Sequence, residues 1–441
     1  MKIFRHIAAA LTLLSLHLPL MPFLGRATAA PADSLLSAYI AEALQNHPDL
    51  ASMQSMIAAS QNRERMARSW MNPDLTLGVM NLPTSFDFHE EAMTSVDFGF
   101  MFRVPFPGKL KSAGETQKAK TLSAQSDFEQ GKLNMAAMVK MAYYELAGLN
   151  AVKSSLADGA RLADDLLKAA QGMTASGLGS QADILRAQLE KDRWQQRCIR
   201  NDQEITAARS RLATALGRPS DEGIQDPGVL NEPAALPSVK QILHGLGQPP
   251  SLKAQEARVE SARQSLTNAR LQYFPDVELG VSYGWRDYLK AGAMGGDPEM
   301  KTSLDDMISV EARIPIPLFA GGNQRAGIQE SEAMLRAAQA DYESAALKLR
   351  DDVRQAYARA QTAWKNYDLI VHSLLPAAQA AFDASLAAYQ SGNLPYMSLN
   401  EALTQIVMLK MEREMARADM HMAVADLERL TAKPWTAKLR M

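Results

Sequence analysis

Residues 342–390 read YESAALKLRDDVRQAYARAQTAWKNYDLIVHSLLPAAQAAFDASLAAYQ. Within them Tyr342, Ala346, Leu349, Val353, Ala356, Ala360, Ala363, Tyr367, Ile370, Leu374, Ala377, Ala381, Ala384 and Ala388 are spaced alternately by four and three. Every one is apolar, which is the seam of a coiled coil. Alanine dominates it, so a facing helix can approach closely. The helical run opens at Asn323, meets no proline before Pro376 and holds no glycine beyond Gly327. At about 1.5 Å per residue such a helix is roughly 100 Å long, far more than a globular core needs. Ser391-Gly392-Asn393-Leu394-Pro395 ends it, and a second apolar periodic run follows. The stretch predicts a very long antiparallel helical hairpin.

Upstream, the period changes from helix to strand. Leu75, Leu77 and Val79 alternate with Thr76, Gly78 and Met80 after a stop at Asn72-Pro73. Beyond a polar loop over 81–94, Val96, Phe98, Phe100, Phe102 and Val104 alternate with Asp97, Gly99, Met101 and Arg103. Period two places large apolar side chains on one face. Pro105 and Pro107 end the pairing, because proline cannot donate to a ladder. A helix over 33–70, broken at His47-Pro48, precedes the strands. A long helix from Gly108-Lys109 to about Thr174 follows, with the seam Phe128, Met135, Val139, Ala142, Leu146, Leu149, Leu156, Ala160, Ala163, Leu167 and Ala170. Lys132 and Lys153 interrupt that seam, marking either a water-facing stretch or a drift of register. Ser176-Gly177-Leu178-Gly179-Ser180 turns the chain, and a return helix spans 182–216.

After the proline-rich stretch 218–238 the order recurs. Pro73-Asp74-Leu75-Thr76-Leu77-Gly78-Val79 is answered by Pro275-Asp276-Val277-Glu278-Leu279-Gly280-Val281. Arg103-Val104-Pro105-Phe106-Pro107 is answered by Arg313-Ile314-Pro315-Ile316-Pro317, Ala142-Tyr143 by Ala356-Tyr357, and Ser176-Gly177 by Ser391-Gly392. Such agreement signals an internal repeat. The second strand pair is expected over 277–285 and 307–314, joined by a loop with Gly292, Gly295, Gly296 and Pro298. The expected division is a leader at 1–29, a first repeat at 30–217, a linker at 218–238, a second repeat at 239–432 and a tail at 433–441.

Lys2, Arg5 and His6 precede an apolar run over 7–24, and Ala27-Thr28-Ala29 offers a small-x-small cleavage site, the pattern of an export signal cut near Ala30. No cysteine stands there to carry a lipid. No later stretch approaches 18 consecutive apolar residues, so no membrane-spanning helix is expected. The net charge of -2 and pI near 6.4 give nucleic acid no purchase. The single cysteine, Cys198, allows no internal disulfide and no cysteine metal cluster. No nucleophile elbow, paired-histidine metal motif or phosphate loop suggests an enzyme, and neither cofactor nor metal is expected. One chain offers four strands of roughly the length that crosses a bilayer. Four cannot close a barrel, and an open edge in lipid costs several kcal/mol per unpaired group. Closure therefore needs other copies, and three give twelve strands.

With the paired Pro-Asp strand openings, the Pro-x-Pro exits, Gly321-Gly322 and the glycine tips at Gly177 and Gly392, the whole mature chain resembles the TolC family of outer-membrane efflux ducts. The fold implied is mainly α with a β-barrel portion, two repeats per chain of helix, strand, strand, long helix and helix. The resemblance implies a homotrimer with a twelve-stranded barrel in outer-membrane lipid and a long α-helical barrel in the periplasm. Its partners would be a periplasmic adaptor and an inner-membrane pump, docked at the tips Gly177, Leu178, Gly179, Gly392, Asn393 and Leu394. Pro105, Pro107, Pro315 and Pro317 would mark the strand-to-helix transitions, and Val104-Pro105-Phe106-Pro107-Gly108-Lys109 is similar to the form found in heavy-metal efflux members. Family ducts narrow at the periplasmic end through acidic residues six positions after each tip glycine. Here those positions are Asp183 and Ser398, with Glu401 one turn beyond Ser398 as a second acid. The alternative to a duct is a periplasmic coiled-coil adaptor or structural protein, which would carry one hairpin and soluble β modules.

Other residues admit two readings. Met135, Met138 and Met141, like Met408, Met411 and Met415, recur at helical spacing, suiting either a soft metal or core filling. His89-Glu90-Glu91 falls in an expected exposed loop, suiting solvated side chains more than a metal site. Tyr283 and Trp285 suit an interfacial aromatic belt or ordinary strand packing. Cys198 reads as an inert thiol.

Overall fold

The computed structural model describes residues 31–177, 179–232, 236–290, 301–316, 318–319 and 321–435. The leader and its cleavage site, Leu178, Pro317, and Gly292 with its neighbouring glycines and proline lie outside the described residues, as do 436–441 of the tail.

Two short helices, α1 (Pro31–Asn46) and α2 (Pro48–Arg68), meet at His47, whose Nδ1 accepts the Asp49 N–H at 3.2 Å. Strands β1 (Asp74–Met80) and β2 (Ser95–Val104) lead into α3 (Lys109–Ala175), 67 residues long, and α4 (Gln181–Leu216) returns. The second half repeats the order. It runs through α5 (Val239–His244), α6 (Pro250–Leu271), β3 (Val277–Trp285), a small ribbon of β4 (Tyr288–Lys290) and β5 (Lys301–Ser303), β6 (Met307–Arg313), α7 (Asn323–Leu369), α8 (Leu375–Gln390) and α9 (Tyr396–Thr431).

The sheet order is β1-β2-β3-β6, with every neighbour antiparallel. Its register aligns side chains of one kind across all four strands. Leu75, Phe100, Val281 and Val310 stand opposite one another, as do Leu77, Phe98, Tyr283 and Ile308. The alternate rows read Thr76, Gly99, Ser282 and Ser309, then Arg103, Glu278 and Arg313. A slip by one residue on any strand would exchange the faces. The apolar face is bare: Phe100 is 51% exposed, Leu77 63% and Val310 77%. The edge strands β1 and β6 are seven residues each, close to the expected alternations over 75–80 and 307–314 and shorter than the ten of β2 and nine of β3. The expected loop after β3 begins and ends as a paired ribbon.

Among the described residues three larger cores, and a small one of Tyr367, Ile370 and Ala416, hold the helices. Near the middle, Leu36 and Tyr39 of α1 meet Tyr143 and Leu146 of α3 and Leu212 and Leu216 of α4. At the far end, Leu156, Leu166 and Ala170 of α3 meet Trp194 of α4, Phe382 of α8 and Leu399, Leu403 and Val407 of α9. Between α7 and α9 lie Leu349, Val353, Ala356 and Ala360 against Met420, Val424 and Leu427. The α3 seam is buried as expected at Met135, Val139, Leu146, Leu156, Ala163 and Ala170. At Lys153 the seam drifts. Val152 is buried in its place, and Lys153 pairs with Asp202 at 2.8 Å. Lys132 stays with the seam but sits over the Phe128 ring at 5.2 Å and pairs with Glu129.

The second long helix corrects the sequence reading. Its seam is buried at Leu349, Val353, Ala356, Ala360, Tyr367 and Ile370. Past that point Leu374, Ala377, Ala381 and Ala384 are exposed, and Ala388 is half-buried. The buried residues are Ala378, Phe382 and Tyr389, one position later. The cause lies between the two series. Residues Ile370–Leu374 form a π-helical turn, in which the Leu375 N–H reaches back to the Ile370 carbonyl. Such a turn inserts one residue into an α-helix. Pro376 follows it, and a proline ring would clash with the carbonyl four residues back in an unbroken helix.

By length and composition the run Asn323–Gln390 passes for a membrane span, one 18-residue window reaching mean hydropathy 1.2. That differs from the expectation of no such helix. Only 17% of that window is buried: Ala378, Phe382 and Tyr389 pack α8 on the far core, while Leu374, Ala377, Ala381 and Ala384 are exposed.

The stretch between the repeats is no slack tether. Tyr39 Oη accepts the Gln225 N–H at 2.8 Å, Arg209 grips Asp226 at 2.6 Å, and Leu230 enters the middle core. Helix α5, absent from the sequence reading, follows it. Its signal was there: Ser238 and Gln241 form a capping box, with Ile242 fully buried behind it.

Candidate functional site: the helix tips and the strand junctions

Each long helix ends in a left-handed glycine, Gly177 at φ 77° and Gly392 at φ 75°. At the second tip the Gly392 N–H bonds the Tyr389 carbonyl and the Asn393 N–H bonds that of Ala388, at 3.0 and 2.9 Å. This closure satisfies carbonyls the helix leaves open. At the first tip Gly177 bonds Thr174, and the Gly179 N–H reaches the Met173 carbonyl at 2.9 Å. Asn393 is exposed and Leu394 half-buried against the tip core.

The positions six residues past each tip glycine are structurally equivalent: Asp183 is the third residue of α4 and Ser398 the third of α9. Asp183 belongs to a capping box. Its N–H is accepted by Ser180 Oγ at 3.2 Å, and its carboxylate accepts the Ser180 N–H and hydroxyl. Arg186 lies 3.6 Å away. Ser398 is half-buried in the first turn of α9. Glu401 is exposed and has no hydrogen-bond or ion-pair partner among the described residues.

Sequence reasoning missed an aromatic pair at this end. Tyr389 and Tyr396 meet edge to face, ring centroids 6.2 Å apart, and Tyr396 is 2% exposed. Burial pushes the Tyr396 phenol up to about 12, helped by the charges of Glu190 and Asp183. The acids of the first tip thus stand beside the aromatics of the second. The signal was available, since Tyr389 and Tyr396 bracket the turn Ser391 to Pro395.

At the other end, the Pro-x-Pro and Pro-Asp motifs of different repeats lock together. The Asp276 carboxylate, which opens β3, accepts the Phe106 N–H at 3.0 Å and the Lys109 ammonium at 2.8 Å, where β2 exits. The Phe106 and Phe274 rings stack 4.4 Å apart. Pro105 lies just past the end of β2, and Gly108 (φ 96°) turns the chain into α3. Pro315 follows β6 in the same way.

The loops beyond the opposite strand ends are joined by His89. Its ring lies 3.2 Å from both Asp87 and Asp287 and stacks on Tyr288, centroids 4.1 Å apart. The Lys290 ammonium, bonded to Asp87, holds that carboxyl down to about 2. Glu90 turns away to Ser85, so His89-Glu90-Glu91 do not converge. Tyr283 and Trp285 lie on the apolar face at this end, 42% and 48% exposed. The methionine series divide between core and surface: Met135 is 4% exposed and Met138 48%, while Met411 and Met415 pack on cores and Met408 is 40% exposed. Cys198 is half-buried, and burial pushes its thiol up.

Known proteins share this architecture. OprN, an outer-membrane channel, superimposes with a TM-score of 0.75 at 19% identity over 91% of both chains. VceC, an outer membrane protein of Vibrio cholerae, does so with a TM-score of 0.75 at 18% identity, over 91% of this chain and 97% of its own. In sequence, the fusaric acid resistance protein FusA of Burkholderia cepacia is 23% identical over 325 residues, which is 69% of this chain and 59% of that relative. The match to outer membrane efflux proteins spans residues 39–218 and 245–433. A duplicated helix-strand-strand-helix chain with a bare apolar sheet face and two glycine tips therefore belongs to the outer membrane efflux protein family.

Proposed function

We propose that the chain is the outer-membrane exit duct of a tripartite efflux system and works as a homotrimer, without enzymatic activity. The single observation that carries this reading is the sheet: four antiparallel strands, apolar on one face, with β1 and β6 each unpaired along one edge. An even number of alternating strands lets β6 of one copy meet β1 of the next antiparallel, so three copies close twelve strands without an edge in lipid. The helices, about 100 Å long, extend the duct into the periplasm, where a periplasmic adaptor and inner-membrane pump meet its tips.

Residues 1–29 act as an export leader removed without lipidation, and the repeats at 30–217 and 239–432 each supply half of one subunit, joined by 218–238 and ending in the tail 433–441. The tip turns Gly177 to Gly179 and Gly392 to Leu394 dock the adaptor. Asp183 and Glu401 line the periplasmic mouth, Asp183 held by its cap and Glu401 free, with Ser398 as the uncharged counterpart of Asp183. Pro105, Pro107, Pro315 and Pro317 set the switch from strand to helix. The cargo reading is metal ion or small organic compound. A strain lacking the gene, complemented with Asn393→Trp, tests the docking role. Lost resistance with normal trimer in the outer membrane supports it, and full resistance contradicts it.

A further inference from the structure

Inside the chain, the junction of β2 with β3 shows what these motifs do when they meet. The strand-opening carboxylate of Asp276 accepts the backbone N–H of Phe106 in the Pro-x-Pro exit, beside the stacked rings of Phe106 and Phe274. The chain carries a second set of the same motifs, split between its two sheet edges. Asp74, the counterpart of Asp276, opens the edge strand β1, and its carboxylate makes no hydrogen bond or ion pair among the described residues, with the charge of Arg103 acting on it from a distance. Ile316, the counterpart of Phe106, follows the edge strand β6. Its N–H likewise has no acceptor among the described residues, and its side chain is 74% exposed. Beside these two groups lie apolar side chains with nothing over them: Trp70 and Met71 are 63% and 66% exposed, and Phe319 is 87% exposed.

We propose that the seam between copies repeats the junction inside the chain, Asp74 of one copy accepting the Ile316 N–H of the next while Trp70 and Met71 pack on Ile316 and Phe319. The inference rests on the closed three-copy sheet and adds to it the residues that lock each seam. The occupant is a second copy because both halves of one bond are present at opposite edges of one sheet, at the same end of the strands. A carboxylate to N–H bond of this kind is charge-assisted, which makes it stronger than a bond between neutral groups. The seam differs from its model in one respect. Phe319 stands where Lys109 supplies a cation, so apolar contact replaces the ion pair. Register follows as well. Val104 stands opposite Val277 at the inner junction, and the matching motif positions place Ile314 opposite Leu75 of the next copy. Slips by two residues also keep the apolar face outward and would set Ala312 or Ile316 opposite Leu75; Ile316, the residue proposed to bond Asp74, is the one tested.

Disulfide trapping in outer membranes tests this, in a Cys198→Ser background. Leu75→Cys combined with Ile314→Cys or with Ile316→Cys is expected to give covalent dimers and trimers on non-reducing gels. The single variants, and Leu75→Cys with Ile308→Cys at the far end of the strand, are expected to stay monomeric. A lysine-reactive cross-linker applied to the parent protein reports the trimer independently. A trimer by that reagent with no disulfide in either double variant overturns the seam alone and leaves its apolar residues facing lipid. No trimer by either method overturns the closed sheet itself.

Discussion

The Asp183 carboxylate accepts both the backbone N–H and the hydroxyl of Ser180, at 3.3 and 2.8 Å, and so closes the cap of α4 at the first tip. An acid at this position is favoured by the unpaired N–H groups and dipole of the helix whether or not it faces a pore. Two contributions can be separated by mutation. Asp183→Ala alone is expected to weaken the tip by about 0.5 kcal/mol, because Ser180 still accepts the backbone N–H of residue 183 and only the reciprocal half of the capping box and its charge at the helix N-terminus are lost, read as a lower melting temperature. With Glu401→Ala added, the proposed mouth loses carboxylates that would repel one another around the trimer axis, which should alter cation selectivity and weaken divalent block from the periplasmic side in planar bilayers. Unchanged selectivity and block in the double variant would leave Asp183 a cap and nothing more.

The tip glycines are constrained by backbone and not by space. A Cβ at Gly177 or Gly392 meets no atom within 4 Å, yet both hold φ near +75°. Alanine there is expected to cost about 1–2 kcal/mol, the strain of a left-handed L-residue, with trimer abundance preserved. Export should fall much further with a bulky residue than with alanine. Equal resistance for Gly392→Ala and Gly392→Trp would contradict a docking surface at the turn.

Tyr396 links tip packing to alkaline pH. Its phenol ordinarily titrates near 10 and is pushed to about 12 by burial. A folded pKa above the unfolded one stabilises the protonated form, so this contribution is present below pH 10 and is lost as pH rises from about 10 to 12. Tip unfolding should therefore become easier across that window. Tyr396→Phe is expected to remove that part of the pH dependence while keeping the packing. Identical alkaline profiles for the two proteins would refute the assignment.

The π turn at Ile370–Leu374 is one inserted residue between two phases of packing. Deleting Ser373, with Pro376→Ala to relieve the ring clash, should restore a continuous α-helix and keep Tyr367 and Phe382 on their present faces. Deleting Gln379 instead removes a residue from the packed phase and swings Phe382 off the core. Losing that contact costs about 3–5 kcal/mol by analogy with large-to-small changes. Equal damage from both deletions would contradict the insertion.

Much of the fold was legible because it rests on period. The strands over 95–104 and 277–285 and the helices over 109–175 and 181–216 follow directly from alternation, heptads, proline stops and glycine turns. The register change at Ile370–Leu374 was not legible, since alanines at 377, 381 and 384 satisfy a heptad as well as Ala378 and Phe382 do, and only packing against α9 decides between them. The carboxylate of Asp183 was legible as a position, but not as the reciprocal partner of Ser180. The locking of Asp276 onto Phe106 and Lys109 was hidden for another reason: it joins residues 167 and 170 positions apart, and motif comparison aligns the repeats without saying where they touch.

The most direct test of a duct closed by copies of one four-stranded sheet is the mass of the intact assembly, released from outer membranes in mild detergent and measured before and after heating. Three copies per particle, falling to single chains on heating, is the predicted result. A particle of one, two or four copies would contradict the twelve-stranded closure.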